Sequence, residues 1–242
     1  MGMRQGTIKE MEFTSQELNE MISLLIYLPA GYSPLYKYSL LIVQDGKDYF
    51  QMGRLARFAD ELIAEEKIEN LVIVGIPYKN VKDRRNKYHP DGEQNESYIR
   101  FLAHELVPWL ETQYPTGGVG KCRSLMGDSL AATVSLMTAI EYPHTFGKVI
   151  LHSPYVNDEV LATVRSHKTP DLLDVYHVIG NRENEIKFSP ERVEDFLTPN
   201  RELHQAFEEK GFDSFYEEID GGHSWKSWQP DVKRALSMMF PR

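Results

Sequence analysis

Short apolar runs alternate with longer amphipathic stretches along this chain. EMISLLIYLPAGY (20–32) and YSLLIVQDG (38–46) concentrate Ile, Leu, Val and Tyr and stop at Pro, Gly or Asp, which predicts two β-strands closed by turns. A helical stretch around 53–66 follows, then a strand LVIVGIP (71–77), then a long amphipathic helix SYIRFLAHELVPWLETQY (97–114). KCRSLM (121–126), KVILHSP (148–154), DVYHVIG (174–180) and SFYEEID (214–220) read as the later strands, with helices in the intervals. Two helix starts are marked by proline: Ser189-Pro190-Glu191 has the form of an N-cap followed by Pro in the first turn, and Gln229-Pro230-Asp231 opens the last helix. The polar run KNVKDRRNKYHPDGEQNES (79–97) is predicted to be the longest loop, at the carboxyl end of a strand.

Such regular alternation predicts an α/β fold: a mainly parallel central sheet of about eight strands, helices on both faces, and functional loops at the carboxyl ends of the strands. The 242 residues, 41% of them hydrophobic, can bury a full core, and the absence of repeats or linkers predicts a single domain over 1–242. The interval between the strands ending near Ser153 and Gly180 is too short for a separate lid domain. A formal net charge of -9 disfavours nucleic acid, whose phosphates select clustered Lys and Arg. Cys122 is the one cysteine, which excludes an internal disulfide, and no CxxC or HExxH spacing implies a metal. No segment approaches the ~20 apolar residues that span a bilayer. The opening MGMRQGTIKEMEF lacks the apolar run of a signal peptide, and Gly6 stands where a myristoylation site needs Ser or Thr, so the expected address is the cytoplasm.

The chemistry centres on SLMGDSLAATV (124–134). Gly127-Asp128-Ser129-Leu130-Ala131 nearly spells GxSxG, the strand-to-helix turn that exposes a serine in α/β-hydrolases, with Ala131 in place of the last glycine. By itself the motif also fits an ordinary N-cap serine. A serine nucleophile needs a base, an acid to orient that base, and N–H donors for the oxyanion, with the acid and histidine following the serine in that order. Of eight histidines, His223 alone follows the last strand, between a Gly-Gly turn and a tryptophan. His152 and His177 fall inside strands and are expected in the core; His104 and His204 fall in helices; His89, in the long loop, is the remaining competitor. The acid should leave the preceding strand, where Glu183 lies three residues after Gly180 with Glu185 close behind; Glu183 is the better placed. The oxyanion donors would be the amides of Leu130 and Lys47, with Gly46 allowing a sharp turn before Lys47.

IYLPAGY, LLIVQDGKDYF, GDSLAA followed by EYPHTFGKVILHSP, then GNRE and GGHSWKSW, taken in this order, resemble the Putative esterase family, which contains esterase D, the feruloyl esterases and the mycolyltransferases, and within it the enterochelin esterase-like branch. The likeness covers nearly the whole chain. It implies an α/β-hydrolase fold, Ser129 as nucleophile, His223 as base, and the amides of Lys47 and Leu130 as oxyanion hole. Glu183 stands where many relatives carry aspartate, and Ala131 where the family usually shows glycine; one added methyl is expected to be tolerated. DRRNKYHP resembles an arginine-containing stretch of that branch, which implies that Arg84 or Arg85 lines the substrate cleft. The expected activity is that of a serine carboxylic-ester hydrolase without cofactor. Its open cleft, bordered by Arg84, Arg85, Tyr49 and Trp225, would take a small-molecule ester with a polar or aromatic acyl group, and the branch implies a siderophore lactone as one such substrate. Acyl transfer to an alcohol would use the same acyl-enzyme. A non-catalytic binding module is the remaining alternative, against which a complete set of serine, histidine and acid argues.

Overall fold

In the computed structural model, which describes residues 5–189 and 192–242, the chain opens with β1 (Thr7–Ser15), β2 (Glu20–Leu28) and β3 (Ser39–Gln44). Helices α1 (Gly46–Gln51) and α2 (Leu55–Ala64) precede β4 (Leu71–Ile76), and α3 (Val81–Tyr88) follows it. A continuous helical segment comes next: α4 (Asn95–Arg100), a π-helical stretch (Phe101–Leu106) and α5 (Val107–Gln113). Then come β5 (Arg123–Asp128), α6 (Leu130–Glu141), β6 (Lys148–His152), α7 (Asp158–Ser166) and β7 (Asp174–Gly180). A small hairpin of β8 (Ile186–Ser189) and β9 (Arg192–Glu194) leads to α8 (Leu197–Lys210), β10 (Asp213–Ile219) and α9 (Trp225–Met239).

One sheet of eight strands runs in the order β1-β2-β4-β3-β5-β6-β7-β10. The first two junctions are antiparallel and the rest parallel. Parity along each strand divides the core. Leu40, Ile42, Val72, Val74, Leu125, Val149 and Leu151 face the helical segment of 95–113, α6 and α7. Their neighbours Leu41, Val43, Ile73, Met126 and Ile150 face α2 and α9. Strands covered on both faces are apolar at most positions, which is why β4 reads as an unbroken run and β3 as LLIV between polar ends. Among the described residues no helix is long and apolar enough to cross a membrane.

The structure departs from the expected elements in four places. The polar run 79–97 is largely helical: the Asn80 side chain caps the Asp83 N–H, and Lys87 pairs with Asp83 one turn away. Charge on every side of α3 left no apolar stripe to reveal it. Strand β1 carries mostly exposed residues and so showed no apolar run. The last helix starts at Trp225, five residues before Pro230. Pro190 and Glu191 of the other expected helix start lie outside the described residues; Ser189 closes β8, and the next helix begins at Leu197. The π-helical turn directly precedes Pro108, whose ring and missing N–H would interrupt a regular α-helix.

Candidate active site

Ser129 sits between the end of β5 and the first residue of α6 with φ 53° and ψ -127°. Such backbone costs a non-glycine residue on the order of 1–3 kcal/mol, so the surroundings must hold it. They do so through both flanking peptides. The Ser129 N–H donates to the His152 carbonyl at 2.9 Å, and the Ser129 carbonyl accepts from the Thr133 N–H at 3.1 Å. The Ser129 side chain makes no capping bond, and it borders the recess described below. Gly127 is demanded by the same turn: a Cβ there would stand 2.3 Å from the Ala131 backbone. Ala131 is fully buried with its methyl accommodated.

His223, on the loop between β10 and α9, places Nε2 3.0 Å from Ser129 Oγ and Nδ1 2.7 Å from Glu183 Oε2. Glu183 is fully buried on the loop after β7. Its Oε1 accepts from the Gly180 N–H at 2.9 Å and from Ser153 Oγ at 2.7 Å, and Ser153 in turn accepts from the Trp228 indole N–H at 2.9 Å. A carboxylate that accepts from three donors is fixed in place and needs no solvent. The two loops are laced by backbone bonds, Asn181 N–H to the Ile219 carbonyl and Arg182 N–H to the Gly221 carbonyl. The imidazole is further held by the rings of Phe196, at 4.5 Å between centroids, and Trp228, at 4.9 Å. Glu185 is exposed.

A recess of about 170 Å³ in front of Ser129 is walled by Val81, Arg84, Arg85, His89, Leu130, Tyr155, Glu194 and Phe196. Arg85 is exposed, and among the described residues it has no ion-pair partner, whereas the half-buried Arg84 pairs with the buried Asp45 at 2.6 Å. His89 is buried in this wall against the Tyr155 ring, and its Nδ1 accepts from the Asp91 N–H. The imidazole at the serine is that of His223. The amides of Leu130 and Lys47 both lie in first turns, of α6 and α1, where no intrahelical acceptor exists. The exposed Lys47 side chain lines a separate groove of about 450 Å³ with Phe50 and Gln51. Asp45, and not Gly46, takes the left-handed conformation there, with φ 54°. Gly46 instead permits close packing, since a Cβ would stand 2.3 Å from the Gly75 Cα.

Two expected wall residues lie elsewhere. Tyr49 is wholly buried in the core on the α2/α9 face, where its hydroxyl donates to His152 Nδ1 at 2.8 Å while His152 Nε2 bonds to Asp231. Trp225 packs edge-on against Tyr49 at 4.8 Å and against Trp228 at 5.6 Å, outside the recess. Each stands two residues from a candidate site residue, Lys47 or His223, and the direction of its side chain takes it out of the recess. Conversely, Ser153, Tyr155, Glu194 and Phe196 belong to the site without a motif to announce them. Ser153 and Tyr155 do follow β6 at the functional edge, the one signal that pointed there.

The Putative esterase family model matches residues 15–239. An uncharacterised protein of Bacillus subtilis, YjcH, is 48% identical over 240 residues, covering 99% of this chain and all of that protein. A ferulic acid esterase structure superposes with a TM-score of 0.81 at 18% identity, covering 98% of this chain and 97% of that one. The enterobactin esterase FES from Shigella flexneri, crystallised with enterobactin, superposes with a TM-score of 0.81 at 18% identity, covering 96% of this chain and 58% of that one. These likenesses are to the α/β-hydrolase fold of esterases.

Proposed function

The chain belongs to the Putative esterase family and is a carboxylic ester hydrolase acting on small-molecule esters, and we propose that it works through an acyl-enzyme on Ser129. The observation that carries this reading is the chain of contacts from Ser129 Oγ through His223 to the buried Glu183, drawn from three loops at the carboxyl ends of β5, β7 and β10. His223 Nε2 takes the hydroxyl proton as Oγ forms its bond to the ester carbonyl carbon, and the amides of Leu130 and Lys47 receive the oxyanion. Imidazolium then protonates the departing alkoxide, the C–O bond to the alcohol breaks, and water repeats the sequence to release the acid. Glu183 holds the Nδ1–H tautomer and stabilises the imidazolium; it takes no proton itself.

The substrate we propose is an ester with a polar or aromatic acyl group. The aromatic side chains of Tyr155 and Phe196 supply faces for a ring, and Arg85 supplies a cation at the rim of a recess sized for one such group. A siderophore-type lactone is one member of this class, and the likeness to an enterobactin esterase supports its inclusion.

Labelling with a fluorophosphonate, followed by mass spectrometry of the modified peptide, tests the nucleophile. The expected result is a single phosphonylated peptide containing Ser129, lost in Ser129→Ala. Folded protein that takes no label would favour a binding module, and a label on another serine would move the nucleophile.

A further inference from the structure

We propose that Arg84 is a positioning residue for the oxyanion hole, clamping together the two loops whose amides form it, and is not a substrate-binding cation. The proposal rests on the acyl-enzyme reading above. The parallel pairing of β3 with β5 ends at Val43 and Met126. Lys47 lies four residues beyond that last rung on one strand, and Leu130 four residues beyond it on the other. The sheet no longer sets the distance between the two amides. Arg84 does: its Nε donates to Asp45 Oδ2 at 2.8 Å, and its Nη2 contacts the same carboxylate and donates to the Asp128 carbonyl at 3.2 Å.

Each anchor stands two residues before an oxyanion amide and controls its direction. Asp45 is the N-cap residue of α1, yet its side chain makes no capping bond. The carboxylate is committed to Arg84 instead, while the Asp45 carbonyl accepts from the N–H groups of Asp48 and Tyr49 at 2.9 and 3.2 Å. Tilting Asp45 therefore tilts the whole first turn that carries Lys47. On the other loop, Arg84 holds the carbonyl of the Asp128–Ser129 peptide and His152 holds its N–H, so this peptide plane is pinned from both sides just before the strained Ser129. Arg84 is itself held between the rings of Tyr78 and Tyr88, at 5.8 and 5.7 Å from their centroids, on a helix secured by the Asn80 cap and by Lys87 bound to Glu20 and Asp83.

The charge balance points the same way. Of two buried acids beside the guanidinium, Asp45 offers it a carboxylate and Asp128 only its backbone carbonyl. Burial, reinforced by the charge of Asp45, holds the Asp128 carboxyl well above the usual carboxylate range; burial raises Asp45 too, but Asp45 is the carboxylate that Arg84 contacts directly. The Arg84 guanidinium is already committed to the Asp45 carboxylate and the Asp128 carbonyl. Arg85, its exposed neighbour, carries the cation that the recess presents.

Steady-state kinetics on p-nitrophenyl acetate separate the two roles, because this neutral ester carries no anionic group for a guanidinium to pair with. In Arg84→Lys the ammonium keeps the charge but cannot serve the carboxylate and the carbonyl together. Misplaced donors should lower kcat by about 30-fold with KM within about twofold. The inhibition constant of a small trifluoromethyl ketone, which forms an oxyanion at the site, should weaken by the same factor. The midpoint of the acid limb of kcat/KM should stay in place, since the contacts between His223 and Glu183 are untouched. Asp45→Asn, which keeps the volume and removes the anchor, should reproduce this pattern if Arg84→Lys does not fold. A raised KM with unchanged kcat, or no change in either constant, would overturn the assignment. So would failure of both variants to fold, which would make the cluster a matter of core stability alone. An active Ser129→Ala would defeat the acyl-enzyme reading itself; an inactive Ser129→Ala beside a fully active Arg84→Lys would defeat only the role of Arg84.

Discussion

Every group facing the Glu183 carboxylate is a donor: the Gly180 amide, the Ser153 hydroxyl and the imidazole of His223. An amide side chain there would turn an NH₂ toward one of them in a fully buried site, where an unpaired donor costs about 1–3 kcal/mol. Glu183→Gln should therefore lower kcat on a simple ester by about a hundredfold or more and also lower the unfolding midpoint, while the exposed Glu185→Gln changes kcat by less than about threefold. Both follow from kcat at saturating substrate and a thermal melt; comparable small losses would leave His223 working without an essential acid. Ser129 is different, since its Oγ bonds to His223 and its strained backbone is held by main-chain groups. Ser129→Ala should remove activity by a factor of about 10⁴ or more and leave the melting temperature within about 2 °C.

At the level of elements, α8 supports the wall of the recess through the polar side chain of Asn200. Asn200 is fully buried; its amide nitrogen donates to the carbonyls of Pro154 and Phe196, at 2.8 Å each, and its oxygen accepts from His177 Nε2 at 2.7 Å. That arrangement tethers the loop after β6 and the start of α8 to β7. Burial lowers the pKa of His177 to about 4, opposed by the bond to Asn200. In the unfolded chain the ring titrates near its ordinary value of ~6.5. Because the unfolded state takes the proton first, the contribution of neutral His177 is fully present above about pH 6.5 and is lost as pH falls toward 4, by on the order of 3 kcal/mol in all. Urea unfolding of wild type and His177→Gln at pH 7 and pH 5 isolates this group. Wild type should lose about 2 kcal/mol more than the variant over that interval, and equal losses would place the acid sensitivity elsewhere.

For the molecule as a whole, no lid domain covers the recess of about 170 Å³ among the described residues; its rim includes α3 and the end of β9. Such a site favours short or single-ring acyl groups, because a long chain would leave most of its methylenes in water and gain little of the usual transfer energy of ≈ 0.8 kcal/mol each. The kcat/KM for p-nitrophenyl butyrate should exceed that for the laurate by at least about a hundredfold, with no jump in rate when the ester forms micelles. A preference for laurate, or activation at the micellar interface, would contradict the proposed substrate class.

The strands were legible in the sequence because a parallel strand covered on both faces tolerates few polar residues, and Ser129, Glu183 and His223 could be singled out because they follow three different strands in one chain order. Periodicity was silent wherever burial did not act: β1 exposes most of its side chains, and α3 is held by a cap and ion pairs instead of an apolar stripe. Direction was silent too. Tyr49 follows Lys47 by two residues yet turns into the core, and Arg84 and Arg85 are adjacent in sequence but separated by about 100° around a helix. Both line the recess, but Arg84 is paired with Asp45 while Arg85 is exposed with no ion-pair partner among the described residues. Residue type and order are written along the chain and therefore survive reading in one dimension. Which way a side chain points, and which buried charge it meets there, is decided by the packing of elements distant in sequence, and only the tertiary structure contains that.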